Sequence, residues 1–287
     1  MHGVPNRLSM SIHITEKCNL KCPGCYTLGK ERMRTIPFEY VKLALDKYQP
    51  KYVVFFGGEA ILEPDLLRKI MDEYPDKRYL LHTNGTHYND TNKDIYERLY
   101  GVVLTLDSYR PEWLKKYKNY SDEDIASYFK LIEEQKNKII VTHNVFASHN
   151  DPHYAEDMKK YNLPSTNWYL FITKNRDQEF LSYFRDCMLE DFNPNINVFP
   201  KLRLLVDGTL TYDMRGVYNL FHVTKWEDKK LEEPLPMSDK CVQCPYKHEC
   251  FAFTMFPHFV KDIIDNVDYE PHFCKFTKIF WRYKHGQ

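Results

Sequence analysis

LSMSIHITEKCNLKCPGCY, residues 8–26, joins a predicted strand at 8–14 to a loop that contains three cysteines. Cys18, Cys22 and Cys25 follow the strand directly, in a Cys-x3-Cys-x2-Cys pattern. A loop after the first strand of a parallel sheet lies at the carboxyl ends of the strands, where α/β barrels build their active sites. The stretch therefore predicts a metal-binding loop at an active site.

Three thiolates can bind three irons of a [4Fe-4S] cluster and leave the fourth iron to an external ligand. Zinc is the alternative, because three cysteines with water or a histidine also make a tetrahedral site. Disulfides fit less well, since secreted disulfide scaffolds are usually short and most of the eight cysteines fall into two tight groups. Cys187 stands alone and is interpreted as a buried thiol.

Strand-like and helix-like segments alternate from Leu8 to about Thr173, which indicates βα units around a parallel sheet. Six such units are too few to close an eight-fold barrel, so the predicted fold class is α/β, with a partial (β/α)6 TIM-like barrel. The predicted strands are 8–14, 52–56, 78–83, 102–106, 139–146 and 168–172. The predicted helices are 37–48, 64–74, 91–100, 121–136 and 151–161. Ser121 with Asp124 resembles an N-cap followed by an acidic third position.

The rhythm changes after Ile172. Residues 201–206, Asp207-Gly208 and 209–213 predict a β-hairpin with an Asp-Gly turn, and a cysteine-rich, loop-rich stretch follows from Cys241. We therefore expect a barrel domain over 1–175 and a small cysteine-rich domain over 176–287.

Charge and composition exclude some classes of function. The 40 basic residues equal the 40 acidic ones, so the chain has no general attraction for polyanions, and nucleic-acid binding is neither implied nor excluded. Residues 1–7 lack the apolar stretch of a signal peptide, and no window approaches the roughly 20 apolar residues of a membrane span. We expect a cytoplasmic protein without membrane contact.

The stretch from Thr15 to Tyr26 resembles the radical S-adenosylmethionine (SAM) superfamily almost residue for residue. The resemblance implies that Cys18, Cys22 and Cys25 hold a [4Fe-4S] cluster. Gly24 departs from the family pattern, which usually has an aromatic side chain on the adenine side at this position. Tyr26 is expected to take over some of that contact.

Three later segments resemble motifs of the same family, in the same order. Each follows a predicted strand, and the resemblance implies that each contacts SAM. Gly-Gly-Glu is expected to meet the methionine ammonium, because glycines permit close approach and an anionic or carbonyl oxygen suits a cation. Taken singly, each segment could be ordinary turn chemistry. The SAM-binding residues expected from them are Gly57, Gly58, Glu59, Thr83, Asn84, Thr105 and Asp107.

The chemistry implied by this resemblance is reductive cleavage of SAM to a 5'-deoxyadenosyl radical, which abstracts hydrogen from a substrate. The protein would orient the reactants and exclude water and oxygen. The partners implied are SAM, a flavodoxin- or ferredoxin-like electron donor and the substrate.

The second cysteine group resembles the SPASM and twitch domains of this superfamily, which carry auxiliary [4Fe-4S] clusters. Its residues are Cys241, Cys244, Cys250 and Cys274. Thr254 and Asp213 stand where a full SPASM domain has two further cysteines, both of which serve the first auxiliary cluster. The resemblance therefore implies a single auxiliary cluster, and a structural zinc site is the alternative. Asp213 is a candidate general base or substrate anchor, and its alternative is a solvated turn acid.

Substrate identity is not encoded in a recognisable motif. Oxidative modification of a peptide or protein side chain is the principal hypothesis, with any leader-binding partner expected to be a separate chain. Modification of a small metabolite, nucleoside or nucleic-acid base is the alternative, and a non-catalytic iron-sulfur scaffold is a remote one. Residues 275–284 interleave basic and aromatic side chains, which suits nucleic-acid stacking or an amphipathic terminal helix. His143, Asn144 and Tyr169 are interpreted as structural residues near strand ends.

Overall fold

The structure is a computed structural model that describes residues 9–22, 33–106, 108–146, 157, 165–171, 202–211, 219–226, 239–246, 274 and 278. Its strands are β1 (Ser9–Thr15), β2 (Tyr52–Gly57), β3 (Arg78–Thr83), β4 (Gly101–Leu106), β5 (Ile139–Phe146), β6 (Ser165–Phe171), β7 (Leu202–Leu204), β8 (Thr209–Thr211) and β9 (Asn219–His222). Its α-helices are α1 (Phe38–Tyr48), α2 (Pro64–Glu73), α3 (Lys93–Arg98), α4 (Pro111–Trp113), α5 (Asp122–Gln135) and α6 (Asp239–Val242).

The strands form one sheet in the order β6-β5-β4-β3-β2-β1-β7-β8-β9. Strands β1 to β6 pair in parallel with their neighbours, and β7 pairs in parallel with the free side of β1. This arrangement confirms the predicted α/β fold with a parallel sheet. It also places the carboxyl ends of β1 to β4 side by side at one edge of the sheet, which we call the carboxyl edge.

The two faces of the sheet differ in polarity because side chains alternate along each strand. Met10, Ile12 and Ile14 of β1 belong to the apolar core between the sheet and the helices. The alternate residues of β1, which include Ser11 and His13, are buried on the opposite face. That face is the inside of the partial barrel.

The predicted hairpin is present as β7 and β8, which pair antiparallel across Asp207-Gly208. Two backbone hydrogen bonds close the turn, from the Leu205 N–H to the Thr209 carbonyl (2.9 Å) and from the Gly208 N–H to the Leu205 carbonyl (3.0 Å). β9, which was not predicted, pairs antiparallel with β8. The hairpin therefore extends the barrel sheet through β1. The proposed domain boundary near residue 175 lies outside the described residues.

Local hydrogen bonds ahead of the first turn explain where two helices begin. Ser121 caps α5 in a reciprocal box, in which its hydroxyl accepts the Asp124 N–H and the Asp124 carboxylate accepts the Ser121 N–H, as predicted. α3 begins later than predicted, because Asn89 and Asn92 form a turn ahead of Lys93. A π-helical turn at Leu114–Lys118 was not predicted. Of the helix predicted at 151–161, only Asp157 is described, and it is helical.

No helix in the described part of the chain combines the length and the apolar character needed to cross a bilayer.

Candidate active site

The cysteine loop leaves β1 and returns to it. Thr15 forms a β-bridge with Thr35. The Glu16 N–H donates to the Arg34 carbonyl, and the Ile36 N–H donates to the Ile14 carbonyl, both at 2.9 Å. The two ends of the loop are thus held together at the carboxyl edge, while the cysteines lie between them.

A half-buried polar cluster holds the two ends of the cysteine loop. The Lys17 ammonium and the Thr35 hydroxyl both donate to Glu63 Oε1 at 2.7 Å. Burial raises the pKa of Glu63, but these two hydrogen bonds, the charge of Lys17 and a weaker contribution from Thr15 together hold the pKa below its ordinary value. The cluster ties the start of the loop to the segment between β2 and α2.

Cys18 and Cys22 are half-buried thiols in this loop and form no disulfide bond. The Sγ of Cys18 accepts the Leu20 N–H at 3.4 Å. Cys25 and Tyr26 lie outside the described residues. Within the described residues no three acidic, histidine or cysteine side chains form a group that could hold a metal ion. The ligand role expected of Cys18, Cys22 and Cys25 stays a prediction.

Gly57 and Gly58 allow β2 to approach the backbone of the cysteine loop. A Cβ on Gly57 would overlap the Thr15 carbonyl oxygen, and a Cβ on Gly58 would overlap the Lys17 carbonyl oxygen. The Gly58 N–H donates to the Thr15 carbonyl and the Glu59 N–H to the Lys17 carbonyl, both at 2.7 Å. In the structure the glycines therefore permit loop-to-loop packing; their predicted contact with SAM stays a prediction.

Glu59 is almost completely buried, with 1% of its surface exposed. Its Oε2 accepts the backbone N–H of Asn84 at 2.8 Å. Burial raises the pKa of Glu59 to about 7, although the Asn84 N–H stabilises the charged form. The carboxylate thus joins the turn after β2 to the turn after β3.

Asn84 lies between the cysteine loop and the β3 turn. Its Nδ2 faces Cys18 Sγ at 3.9 Å and donates to Asn19 Oδ1 at 3.0 Å. Asn19 in turn donates to the Thr86 hydroxyl at 2.7 Å. Thr83, which precedes Asn84, is buried and accepts the Gly85 N–H at 3.0 Å. Asn19 and Thr86 were missed by sequence reasoning, because only folding brings these two turns together.

The fourth strand end is described in part. Thr105 is half-buried near the carboxyl end of β4, and Asp107 lies outside the described residues. Ser108 is buried, and its hydroxyl accepts the Arg110 N–H at 3.0 Å. Arg110 also donates to Asp157 at 2.7 Å. This contact links the loop after β4 to a helical residue that lies between β5 and β6 in the chain. That link had no sequence signal.

The second cysteine group is described at three positions. Cys241 is buried in α6, Cys244 is half-buried just after it, and the Cys244 N–H donates to the Cys241 carbonyl at 3.1 Å. Cys274 is half-buried. Cys250, Asp213, Thr254 and Cys187 lie outside the described residues, and the group's ligand role stays a prediction.

The remaining candidates are strand positions. His143 and Asn144 are in β5, and Asn144 pairs in register with Tyr169 of β6. The interpretation of these three residues as structural stays a prediction.

Three comparisons relate the chain to known proteins. Residues 12–161, just over half of the chain, match the family model for the radical SAM superfamily. A probable GTP 3',8-cyclase of Methanocaldococcus jannaschii is 28% identical over 123 residues, which is 40% of this chain and 41% of that protein. The chain thus matches about two-fifths of the length of this curated relative.

Among the solved structures that share the fold are those of anSMEcpe and SuiB. anSMEcpe with bound AdoMet aligns over 97% of both chains with a TM-score of 0.69 at 15% identity. SuiB of Streptococcus suis, bound to the precursor peptide SuiA, aligns over 85% of this chain and 70% of its own, with a TM-score of 0.57 at 14% identity.

The family match contains the cysteine loop and the carboxyl ends of β2, β3 and β4, which lie beside it at one edge of the sheet. A [4Fe-4S] cluster and SAM are the cofactors characteristic of this family. The chain therefore belongs to the radical SAM superfamily and is a radical SAM enzyme.

Proposed function

We propose that the enzyme oxidatively modifies a side chain of a peptide or protein. The observation that carries this proposal is the alignment with anSMEcpe over 97% of both chains, because it extends well beyond the barrel. One structure of anSMEcpe contains AdoMet and a peptide, and SuiB has been solved with a precursor peptide. Both proteins are under 25% identical to this chain, so they support the fold and suggest the class of substrate.

In this proposal Cys18, Cys22 and Cys25 are the ligands of the SAM-binding [4Fe-4S] cluster. When bound, the cluster supplies one electron for the cleavage of SAM to a 5'-deoxyadenosyl radical. The protein's task is to hold the cysteine loop, and the backbone hydrogen bonds from Gly58 and Glu59 do so.

The proposed contacts with SAM come from the carboxyl edge. Turn backbones offer N–H and carbonyl groups that can orient a zwitterionic methionine, and hydroxyl and carboxylate groups suit a ribose. The residues proposed for these contacts are Tyr26, Gly57, Gly58, Glu59, Thr83, Asn84, Thr105 and Asp107.

The second cysteine group is proposed to hold one auxiliary [4Fe-4S] cluster, which would accept an electron as the substrate is oxidised. Four thiolates would close its coordination, so direct binding of substrate is not expected there. Its ligands would be Cys241, Cys244, Cys250 and Cys274.

Substrate-dependent formation of deoxyadenosine tests the reaction. The enzyme is reconstituted anaerobically with iron and sulfide and reduced, and deoxyadenosine is measured by mass spectrometry with a peptide library or with GTP. We expect a rise with peptides that carry an oxidisable side chain, together with a peptide product that has lost two hydrogens. A rise with GTP alone would contradict the peptide proposal. The Cys18→Ala variant is the control and should form no deoxyadenosine.

Asp213 is proposed as the general base or as a substrate anchor, on the resemblance alone. Thr211, the last described residue before it, ends β8 and pairs with Arg203 of β7. Asp213→Asn should stop product formation while deoxyadenosine can still form, because cleavage of SAM does not need this carboxylate. An unchanged product yield would exclude the role.

A second candidate function is radical modification of a small metabolite, a nucleoside or a nucleic-acid base. The similarity to a probable GTP 3',8-cyclase favours it, over two-fifths of the chain. The GTP arm of the deoxyadenosine assay distinguishes the two candidates. A flavodoxin- or ferredoxin-like electron donor and a cytoplasmic location both stay predictions.

A further inference from the structure

The side-chain amide of Asn84 has an orientation that its neighbours decide. Its Oδ1 accepts the Thr86 N–H at 3.0 Å and the Thr86 hydroxyl at 2.7 Å. Only the amide nitrogen can donate, and Asn19 Oδ1 takes one of its hydrogens at 3.0 Å. The oxygen is therefore turned toward Thr86, and the nitrogen toward the cysteine loop.

The backbone of Asn84 is fixed as well. Its N–H donates to the buried carboxylate of Glu59 at 2.8 Å, and its carbonyl accepts the Tyr120 hydroxyl at 3.1 Å. Hydrogen bonds thus hold Asn84 at its backbone and at both ends of its side-chain amide. Because these hydrogen bonds already fix the amide in one position, its contact with a neighbouring group costs no further side-chain entropy.

The second hydrogen of the amide nitrogen faces Cys18 Sγ, 3.9 Å away. This separation is long for a hydrogen bond to sulfur. The contact therefore acts mainly through the partial positive charge of the amide hydrogen. The Leu20 N–H also points at this sulfur, at 3.4 Å. Two N–H donors therefore face Cys18 Sγ, one from its own loop and one from the turn after β3.

We propose that Asn84 raises the reduction potential of the SAM-binding cluster through its amide contact with Cys18. Hydrogen bonds to cysteine sulfurs are among the factors that set cluster potentials, and donors favour the more negative, reduced state. Asn84 is thus a tuning residue that acts through the thiolate. The inference rests on the proposed role of Cys18 as a cluster ligand.

The chain contains a matched control for this contact. Asn89 Oδ1 accepts the Thr91 N–H at 2.9 Å and the Thr91 hydroxyl at 2.6 Å, which repeats the turn that Asn84 makes with Thr86. Asn89 is exposed. Asn89→Asp therefore introduces the same charge in the same local turn, but into solvent, where water and salt screen it.

The test is a potentiometric titration of the reconstituted enzyme, followed by electron paramagnetic resonance in the absence of SAM. Asn84→Ala should lower the midpoint potential, and Asn84→Asp should lower it further because a carboxylate repels the added electron. For Asn84→Asp we expect about a tenfold fall in the ratio of reduced to oxidised cluster at a fixed potential, which is about 59 mV for one electron. Asn89→Asp should match the wild type.

A midpoint potential that is unchanged in Asn84→Ala and Asn84→Asp would overturn the inference. Weaker binding of SAM with an unchanged SAM-free potential would do so too, and would return Asn84 to the role of a SAM ligand. If Asn84→Asp does not retain iron, Asn84→Ser, which lacks the amide but keeps an acceptor for Thr86, provides the comparison. A wild-type protein that loads no cluster at Cys18 would contradict the proposed function instead.

Discussion

Glu59 shows how a family motif can serve the fold. The structure buries its carboxylate against the backbone of Asn84. The contact with SAM that the sequence predicts for this residue stays a prediction. A buried carboxylate loses hydration, so its charged form is disfavoured and its pKa rises to about 7. The residue thus links two turns of the site, and it places a group that titrates near neutral pH in the interior of the protein.

We expect Glu59→Gln to change the pH dependence of stability. The folded chain holds the Glu59 proton more tightly than the unfolded chain does, because the pKa rises from 4.5 to about 7 on folding. The stabilisation by this proton is complete below 4.5 and is lost as the pH rises to about 7. Relative to the variant, the wild type should therefore lose up to about 3 kcal/mol of unfolding free energy between pH 5 and pH 8.

Anaerobic urea unfolding of wild type and Glu59→Gln, each at matched iron content and at both pH values, measures this difference. Glutamine can still accept the Asn84 N–H, so the turn should be retained. Parallel pH profiles for the two proteins would contradict the prediction.

At the scale of elements, the cysteine loop is positioned by its contact with the turn after β2. Parallel pairing of β1 with β2 brings both turns to the same edge, and the two glycines let their backbones meet. Two short backbone hydrogen bonds result, at 2.7 Å each. The loop is therefore held by backbone geometry, with Lys17 and Glu63 adding a side-chain contact.

Gly58→Ala should displace the cysteine loop, because its Cβ would overlap the Lys17 carbonyl oxygen. We expect less iron bound after reconstitution and a loss of about 1 to 3 kcal/mol in unfolding free energy, as for other overpacking substitutions. Gly101→Ala is the matched control, since its Cβ would meet only the side chains of Leu80 and Ile140, at 3.6 Å or more. Equal iron content in the two variants would contradict this account.

The capping box of α5 provides a second test at this scale. Ser121→Ala removes the acceptor for the Asp124 N–H and should cost about 1 kcal/mol of unfolding free energy. Ser121→Asp keeps an acceptor and should stay close to the wild type. The urea midpoints of unfolding of the two variants measure the contribution of the cap, and equal midpoints would contradict the prediction.

For the whole molecule, the main feature is that the sheet continues beyond β1, the first barrel strand, into β7, β8 and β9. β7 pairs with β1 from Met10 to Ile12. The segment that leads to the second cysteine group therefore pairs directly with the strand that precedes the first cysteine group. The hairpin turn and the cysteine loop therefore share the carboxyl edge. Asp207 of the turn is close enough to Arg34 for its charge to raise the pKa of the Arg34 guanidinium, after the larger effect of Glu16.

Simultaneous replacement of Cys241 and Cys244 by serine tests the auxiliary cluster. If the second group holds a [4Fe-4S] cluster, iron should fall from about eight to about four per chain, and the signal of the SAM-binding cluster should persist. Metal analysis of both proteins measures this. About four irons in the wild type, with zinc that disappears in the variant, would assign the group to zinc instead.

Patterns local in sequence were predicted well. The strands at 78–83 and 139–146 match the observed bounds, and the Asp-Gly hairpin and the cap at Ser121 are present. Hydrophobic alternation, turn residues and caps act over a few neighbouring residues, so the sequence displays them directly. β9 and the π-helical turn after α4 were missed, because neither has a comparably strong local signal.

The sequence by itself determined the family and the identity of the candidate cofactor residues, since cysteine spacing and strand-end motifs are local patterns. Only the tertiary structure decided that the Gly58 N–H donates to Thr15, that the Glu59 carboxylate is buried against Asn84, and that the Asn84 amide faces Cys18. These contacts join residues that are 25 to 66 positions apart in the chain and that follow different strands of the sheet. They depend on the parallel register, which brings distant strand ends to one edge and which no local pattern encodes.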